Sequence, residues 1–393
     1  MISGTKLHFQ QERIVYGRPA AQVIAEEAER LEASRVFLVC SRHLAGDNGP
    51  AAAIARGLGR RHAGTYAKAQ SHTPKETVVE AANQARAAKA DLLVSIGGGS
   101  VTDTVKIMQR CLWHNFTTVD QLVPNRMFGV HQVPGMDPSR HPPDMDDAIR
   151  MIAVPATYSA AEFNFGGSVL NLTTRAKEAH AHPLMIPRTV VLDPQVTLFT
   201  STDQLLASGI YLVDHFLADF MSPKANLVSQ MMIGEGIRHL PAALRAIRRD
   251  PDELEPRLYG LLCAWWARDP DLSGVFQGLG HAIGLVLGER YRIPPGISSA
   301  ALQPACLRWN RPATEMQQAE LAARMGRAGT PLGDVVAELI ADLGLRGRIR
   351  DIGIDKSDFP AIADRTMKNA LLESNPRKVT GPADVMEVLE AAW

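Results

Sequence analysis

The stretch "ADLLVSIGGGSVTDTVK", residues 90–106, constrains this chain most. A continuous apolar run meets three glycines and a serine, and a helical pattern follows. Such a run, bounded by a turn, reads as a strand buried on both faces. A strand buried on both faces needs helices on both sides of its sheet, which is an open α/β architecture. Gly97, Gly98 and Gly99 let backbone approach a phosphate closely, and the helix beginning near Ser100 offers free N–H groups and a positive dipole end. No Walker Lys-Ser/Thr follows, and the spacing is not GxGxxG. Alone, the turn reads equally as a nucleotide site or as a tight turn at a sheet edge. Asp103 and Lys106 either meet a cofactor or form a surface ion pair.

The surrounding sequence repeats the pattern. "RVFLVC" (35–40), "MIAVPAT" (151–157) and "TVVLDP" (189–194) read as further strands, and "ETVVEAANQARAAKA" (76–90) as a helix. The Pro-, Met- and His-containing stretch between Leu122 and Asp147 reads as a long loop, with Arg140 and His141 in its "RHPP". After Pro194 the character changes. Ser201 with Gln204 three residues later marks a helix start. Helical patterns then run almost to Trp393, with breaks expected at Pro223, Pro241, Pro251, Pro270 and Pro312. The expected boundary lies within 188–200, giving an α/β N-terminal dinucleotide-binding domain over 1–192 and an all-α C-terminal domain over 193–393. A ligand crevice is expected at their junction and at the carboxyl ends of the strands.

Charge and cysteine content narrow the function classes. Lys+Arg and Asp+Glu both number 42, so there is no electrostatic footprint for nucleic acid or an acidic membrane surface. No apolar run has transmembrane length, and the N-terminus lacks a signal-peptide core. Cys40, Cys111, Cys263 and Cys306 form no CxxC pair or disulfide framework. The expectation is a cytoplasmic protein acting on a small-molecule substrate.

Four segments together carry a resemblance. "GGGSVTDTVK" is similar to the GGGS-x-x-D-x-x-K motif of the iron-containing (group III) alcohol dehydrogenase superfamily. "VPATYSAAE" (154–162) resembles its P-T-T segment, and "LASGIYLVDH" (206–215) its A-S-G-x-D-x-x-x-H helix. "GLGHAIGLVLGERYRIPPGISSA" (278–300) resembles its G-x-x-H-x-x-x-H-x-x-G … P-H-G block. Order and spacing agree from near Val36 to near Asn310. "SHTPKETV" (71–78) also resembles a stretch of the maleylacetate reductase branch. The resemblance implies the dehydroquinate synthase-like fold of that superfamily and, as an expectation from the family, a homodimer.

It also implies a nicotinamide dinucleotide. Its pyrophosphate would lie on Gly98, Gly99 and Ser100 beside Gly97, with Thr157 and Tyr158 lining the adenine or phosphate side and Asp103 and Lys177 nearby. Many members carry an acid after the first strand for the adenosine ribose. Here Ser41 and Arg42 stand there. An acid repels a 2′-phosphate and Ser plus Arg welcomes one, which favours NADP over NAD. Arg42 also reads as a solvated surface arginine.

The family's metal is held by one Asp and three His. Carried over, the Asp position is Tyr211 and the first His is His215, on one helix face at i, i+4. The next ligand is His281. The last is Pro295, and the second histidine of the family's H-x-x-x-H is Leu285. Catalytic metal sites normally have three protein ligands and an open position, so no metal is expected. Asp214 shares no helix face with His215, and Glu289 lies two turns beyond His281, so neither restores the set. Without a metal, something else must stabilise charge on oxygen. Tyr211, His215 and His281 are the candidate catalytic residues, as a phenol and imidazoles able to donate a proton. Such a site suits conjugated carbonyls, imines or oxo acids. Trp265, Trp266, Phe276 and Tyr291 read either as pocket walls or as core. The competing readings are a maleylacetate reductase, a metal-dependent alcohol dehydrogenase, a dehydroquinate synthase-like lyase and a non-catalytic nucleotide-binding protein.

Overall fold

A computed structural model of the chain describes residues 11–125, 148–268 and 274–393. Arg140, His141 and Pro270 lie outside the described residues. The chain divides into two compact units, Met1–Thr200 and Ser201–Trp393. The division falls after the expected 192/193 because the turn following the last strand belongs to the first unit. Val196 is buried in that unit's core, and the Thr200 hydroxyl donates to the Ala156 carbonyl at 2.8 Å.

In the first unit the elements are β1 (Arg13–Tyr16), α1 (Ala20–Arg30), β2 (Val36–Cys40), α2 (Pro50–Leu58), β3 (His62–Tyr66), α3 (Lys75–Ala87) and β4 (Leu92–Gly97). They continue as α4 (Gly99–Trp113), β5 (Arg150–Pro155), β6 (Gly166–Leu170), β7 (Lys177–Ala181) and β8 (Thr189–Leu192). Six strands form one sheet in the order β1-β8-β5-β4-β2-β3, paired in parallel throughout. β6 and β7 form a separate antiparallel hairpin. Alternation sets the layers. Val36, Leu38 and Cys40 of β2 and Leu92, Val94 and Ile96 of β4 join α1 and α2 in one core cluster. The opposite face, with Leu93 and Ser95, meets α3 and α4, so both faces are covered.

The second unit is helical: α5 (Thr202–Met221), α6 (Leu227–Arg249), α7 (Leu254–Arg268), α8 (Leu279–Tyr291), α9 (Pro295–Arg324), α10 (Leu332–Asp342), α11 (Phe359–Thr366) and α12 (Pro382–Ala392). Ser201 caps α5, accepting from the Gln204 backbone N–H at 3.4 Å. Pro223 and Pro251 separate helices as expected, but Pro241 sits inside α6 and Pro312 inside α9. A proline inside a helix loses one backbone bond and crowds the preceding turn. Pro241 is buried, so packing offsets that loss. α9 absorbs Pro312 as a kink at Thr314 (φ −139°, ψ 23°), whose hydroxyl donates to the Asn310 carbonyl at 2.9 Å. Phe276 is core, packed with Ala282 and Leu371. Tyr291 packs on the α8–α9–α12 core, and Trp265 and Trp266 are half-buried.

Candidate active site

Two clusters of the sequence-derived residues form, one in each unit. In the first, Cys40 pairs with Ile96 and Gly97 with Pro155, so β2, β4 and β5 end side by side. The helices following β2 and β4 cover opposite faces of the sheet, which makes this the topological switch point where α/β sheets bind ligands. Ser41 and Arg42 leave β2 there, Gly97–Ser100 leave β4, and Thr157 follows β5.

Close approach demands glycine at 97 and leaves little room at 98 and 99. Gly97 has φ +153°, and a Cβ on it would lie 2.7 Å from a Val101 methyl. One on Gly98 would lie 3.1 Å from the Thr157 hydroxyl, and one on Gly99 would lie 3.1 Å from Ser159. Gly98 is the N-cap of α4, so the free N–H groups of a long helix open onto a bare backbone cradle. This cradle fits a dinucleotide pyrophosphate. The Ser100 hydroxyl accepts from the His72 N–H at 3.0 Å, and the Thr73 hydroxyl donates to the Ser100 carbonyl at 3.1 Å. His72 and Thr73 are consecutive left-handed residues (φ 64° and 54°), so the "SHTP" segment is bent tightly against the loop.

The remaining residues sit further back. Asp103 accepts from the Ser168 N–H at 3.2 Å and so backs the β6–β7 hairpin, whose second strand Lys177 opens. Ser41 is 3.1 Å from His43 Nδ1, and Tyr158 is fully buried. Lys106 corrects an expectation. It is buried, and its ammonium donates to the Ala161 carbonyl, to Asn164 Oδ1 at 2.7 Å and to the Gly166 carbonyl at 2.8 Å. It therefore anchors the segment after β5 from a buried position rather than at the surface.

In the second unit, α5 carries Tyr211 and His215 and α8 carries His281. His215 Nε2 and His281 Nε2 are 3.1 Å apart. The Tyr211 ring lies against both, with centroids 4.6 Å from His215 and 5.3 Å from His281. The histidines are buried, at 0% and 8% exposure. Burial, then the nearby charges of Arg268 and His281, push the His215 imidazole well below its ordinary range, so it is neutral near pH 7.

These residues do not fit the four-ligand ion of the family the sequence resembles. Pro295 is the first residue of α9 and offers no side-chain donor. Leu285 packs beside Phe276, and Glu289 pairs with Arg365 at 2.6 Å. Among the described residues no group of three or more His, Cys, Asp and Glu is placed to hold a metal. Pro295 nonetheless stays by the site. A Cβ on its neighbour Gly296 would lie 2.1 Å from the Ala207 carbonyl, so α9 starts in backbone contact with α5, one turn before Tyr211.

Behind the histidines stand two carboxylates, Asp214, weighed in the sequence only as a metal ligand, and Asp219, not singled out there. Asp214 Oδ2 is 3.2 Å from His281 Nδ1 and accepts from the Ser299 hydroxyl at 2.6 Å. The Asp214–His281 approach is oblique, a close charge contact rather than an aligned hydrogen bond. Asp219 Oδ2 is 4.0 Å from His215 Nδ1, and Asp219 Oδ1 accepts from Gln277 at 2.8 Å. Asp219, one turn beyond His215, was findable by the i, i+4 rule. Asp214 was not, because its partner lies on another helix. A cavity of about 20 Å³, bordered by Asp214, His281, Gln303, Asn310 and Asn375, adjoins them and has room for about one water.

Comparison with known proteins agrees with this fold. The model of the iron-containing alcohol dehydrogenase family matches residues 11–194, and that of the family's C-terminal part matches 205–393. A maleylacetate reductase of Rhizobium sp. (strain MTP-10005) is 29% identical over 91% of this chain and 89% of its own. The lactaldehyde reductase of Escherichia coli is 26% identical over 77% of each. The crystal structure of maleylacetate reductase from Agrobacterium tumefaciens superposes with a TM-score of 0.82 at 25% identity, covering 100% of this chain and 99% of that one.

Proposed function

This chain belongs to the iron-containing alcohol dehydrogenase family and is an NAD(P)-dependent oxidoreductase, and on that premise we propose that it reduces an activated small molecule without the family's metal. The observation that carries this reading is the Nε2–Nε2 contact of His215 and His281 under Tyr211, where a four-ligand ion would need two further donors. A bound reduced nicotinamide supplies the hydride. The chain's own residues hold and orient the proton: Tyr211, His215 or His281 delivers it to the oxygen or nitrogen that gains charge. Conjugated carbonyls, imines and oxo acids suit such a site, because resonance spreads the charge that a metal would otherwise neutralise. Maleylacetate is the first substrate to try, given the similarity to maleylacetate reductases. Ser41 and Arg42 beside the cradle favour NADPH over NADH.

The test is elemental analysis of the purified protein, with NADPH and NADH binding and turnover measured before and after chelation. We expect no stoichiometric metal, tighter NADPH than NADH, and unchanged turnover. One metal per chain with turnover abolished by chelation would overturn the metal-independent reading.

A further inference from the structure

At 3.1 Å the Nε2–Nε2 contact holds one proton, so one ring donates along it and the other accepts. Either His281 carries its proton on Nδ1 and accepts at Nε2, or His215 does so and His281 donates. The flanking carboxylates distinguish them. Asp214 Oδ2 lies 3.2 Å from His281 Nδ1, whereas Asp219 Oδ2 lies 4.0 Å from His215 Nδ1. A bare ring nitrogen 3.2 Å from a carboxylate oxygen sets two lone pairs against each other, and an N–H there is attracted even along an oblique line. At 4.0 Å the contact is beyond hydrogen-bond reach and exerts a weaker preference. Asp214 is itself held in place, since the Ser299 hydroxyl on α9 donates to the oxygen that faces His281.

We propose that Asp214 is a positioning residue: it holds the His281 proton on Nδ1, so that the histidine pair points one way, His215 donating from Nε2 and His281 accepting. This rests on the proposed proton-delivering role of the pair and deepens it. The donor facing the pair's shared space is then His215, and His281 is kept as the acceptor that aligns it. A carboxylate that fixes a histidine tautomer acts on turnover without touching substrate.

The test is NMR of the intact protein with 15N-labelled histidine, its twelve histidines assigned by single substitutions. We expect His281 to show a protonated Nδ1 and a bare Nε2, and His215 the reverse. A protonated His281 Nε2 in the wild type overturns the proposal, whatever any variant does. In Asp214→Leu only Asp219 remains beside the pair, so both rings should exchange tautomers. kcat should fall about 10²–10⁴-fold with KM little changed. An unchanged ring pattern in that variant overturns the assignment to Asp214. Should Asp214→Leu fail to fold, Ser299→Ala replaces it. Relieved of the hydroxyl, the carboxylate turns more fully to His281, and the Nδ1 proton resonance should move downfield; no movement overturns the proposal. These spectra are of resting protein, so a failure here leaves the metal-independent reductase intact. Conversely, an essential metal found by elemental analysis would overturn the metal-independent reading, and the tautomers are then read on chelated protein, since a metal on both histidines would take both Nε2 lone pairs.

Discussion

At the residue scale, Tyr211 stands where the family resemblance puts a carboxylate ligand, and its phenol is apolar over most of its surface and polar only at its tip. Its ring packs on both histidines, so removing the hydroxyl alone separates packing from proton delivery. Tyr211→Phe should leave the fold unchanged and lower kcat about 10²–10⁴-fold. His281→Ala should cost as much and also destabilise, because it leaves His215 Nε2 and Asp214 buried beside a hole. Steady-state kinetics with NADPH and an activated substrate measure both. Near-normal turnover in both variants would sink the assignment. The candidate residues of this cluster were legible because they occupy motif positions whose spacing survives. Of their carboxylate neighbours, Asp219 lies within reach of the i, i+4 rule and Asp214 does not. Asp214 follows the ordinary i, i+1 argument in pointing away from His215, and that same direction aims it at His281 on α8. Only the packing of α5 on α8 and α9 reveals the pair.

At the element scale, strands buried on both faces announced themselves as continuous apolar runs: β2, β4 and β8 lie within the stretches that read as strands, and β5 begins one residue before its own. β1 and β3 did not. They are the two edges of the sheet, "RIVY" and "HAGTY", half-exposed and short, so neither an apolar run nor a clean alternation marks them. The β6–β7 hairpin, "GGSVL" with "KEAHA", is too polar to stand out. Pro241 and Pro312 misled in the opposite direction, since long helices with strong packing can carry a proline. The start of α9 gives the sharpest test at this scale. Gly296 is required not by its backbone angles but by the Ala207 carbonyl, 2.1 Å from where a Cβ would stand. That atom belongs to helix backbone and cannot swing aside. Gly296→Ala should push α9 off α5 and cost about 1–3 kcal/mol, as overpacking does, read as a lower urea midpoint at unchanged slope. It should also lower kcat through Tyr211, which lies one turn along α5. An unchanged midpoint would mean that the two helices are not in backbone contact.

At the scale of the whole molecule, each unit buries a histidine in its neutral form, and this sets how stability responds to acid. His180 in the first unit is pushed down to about 3, by burial first and then by the charges of Arg110 and Lys75, and its Nδ1 accepts from Arg110 at 2.5 Å. His215 in the second unit is displaced in the same direction. Both groups have folded values below the ordinary imidazole value of about 6.5. Below that pH the unfolded chain binds protons that the folded chain refuses, so stability falls as pH falls. It is fully present above pH 6.5 and is lost at about 1.4 kcal/mol per pH unit for each such histidine, until its own folded value is reached. Net charge cannot supply this slope near neutrality, since 42 basic and 42 acidic residues balance. Between pH 7 and pH 5 ordinary carboxylates remain ionised, so the window belongs to the histidines. Urea midpoints should be flat above pH 7 and fall steadily from 6.5 to 5. His180→Gln should remove part of the slope, because a neutral amide at that position has no proton to bind on unfolding. A flat profile down to pH 5 in the wild type would show that these two rings accept protons in the folded state.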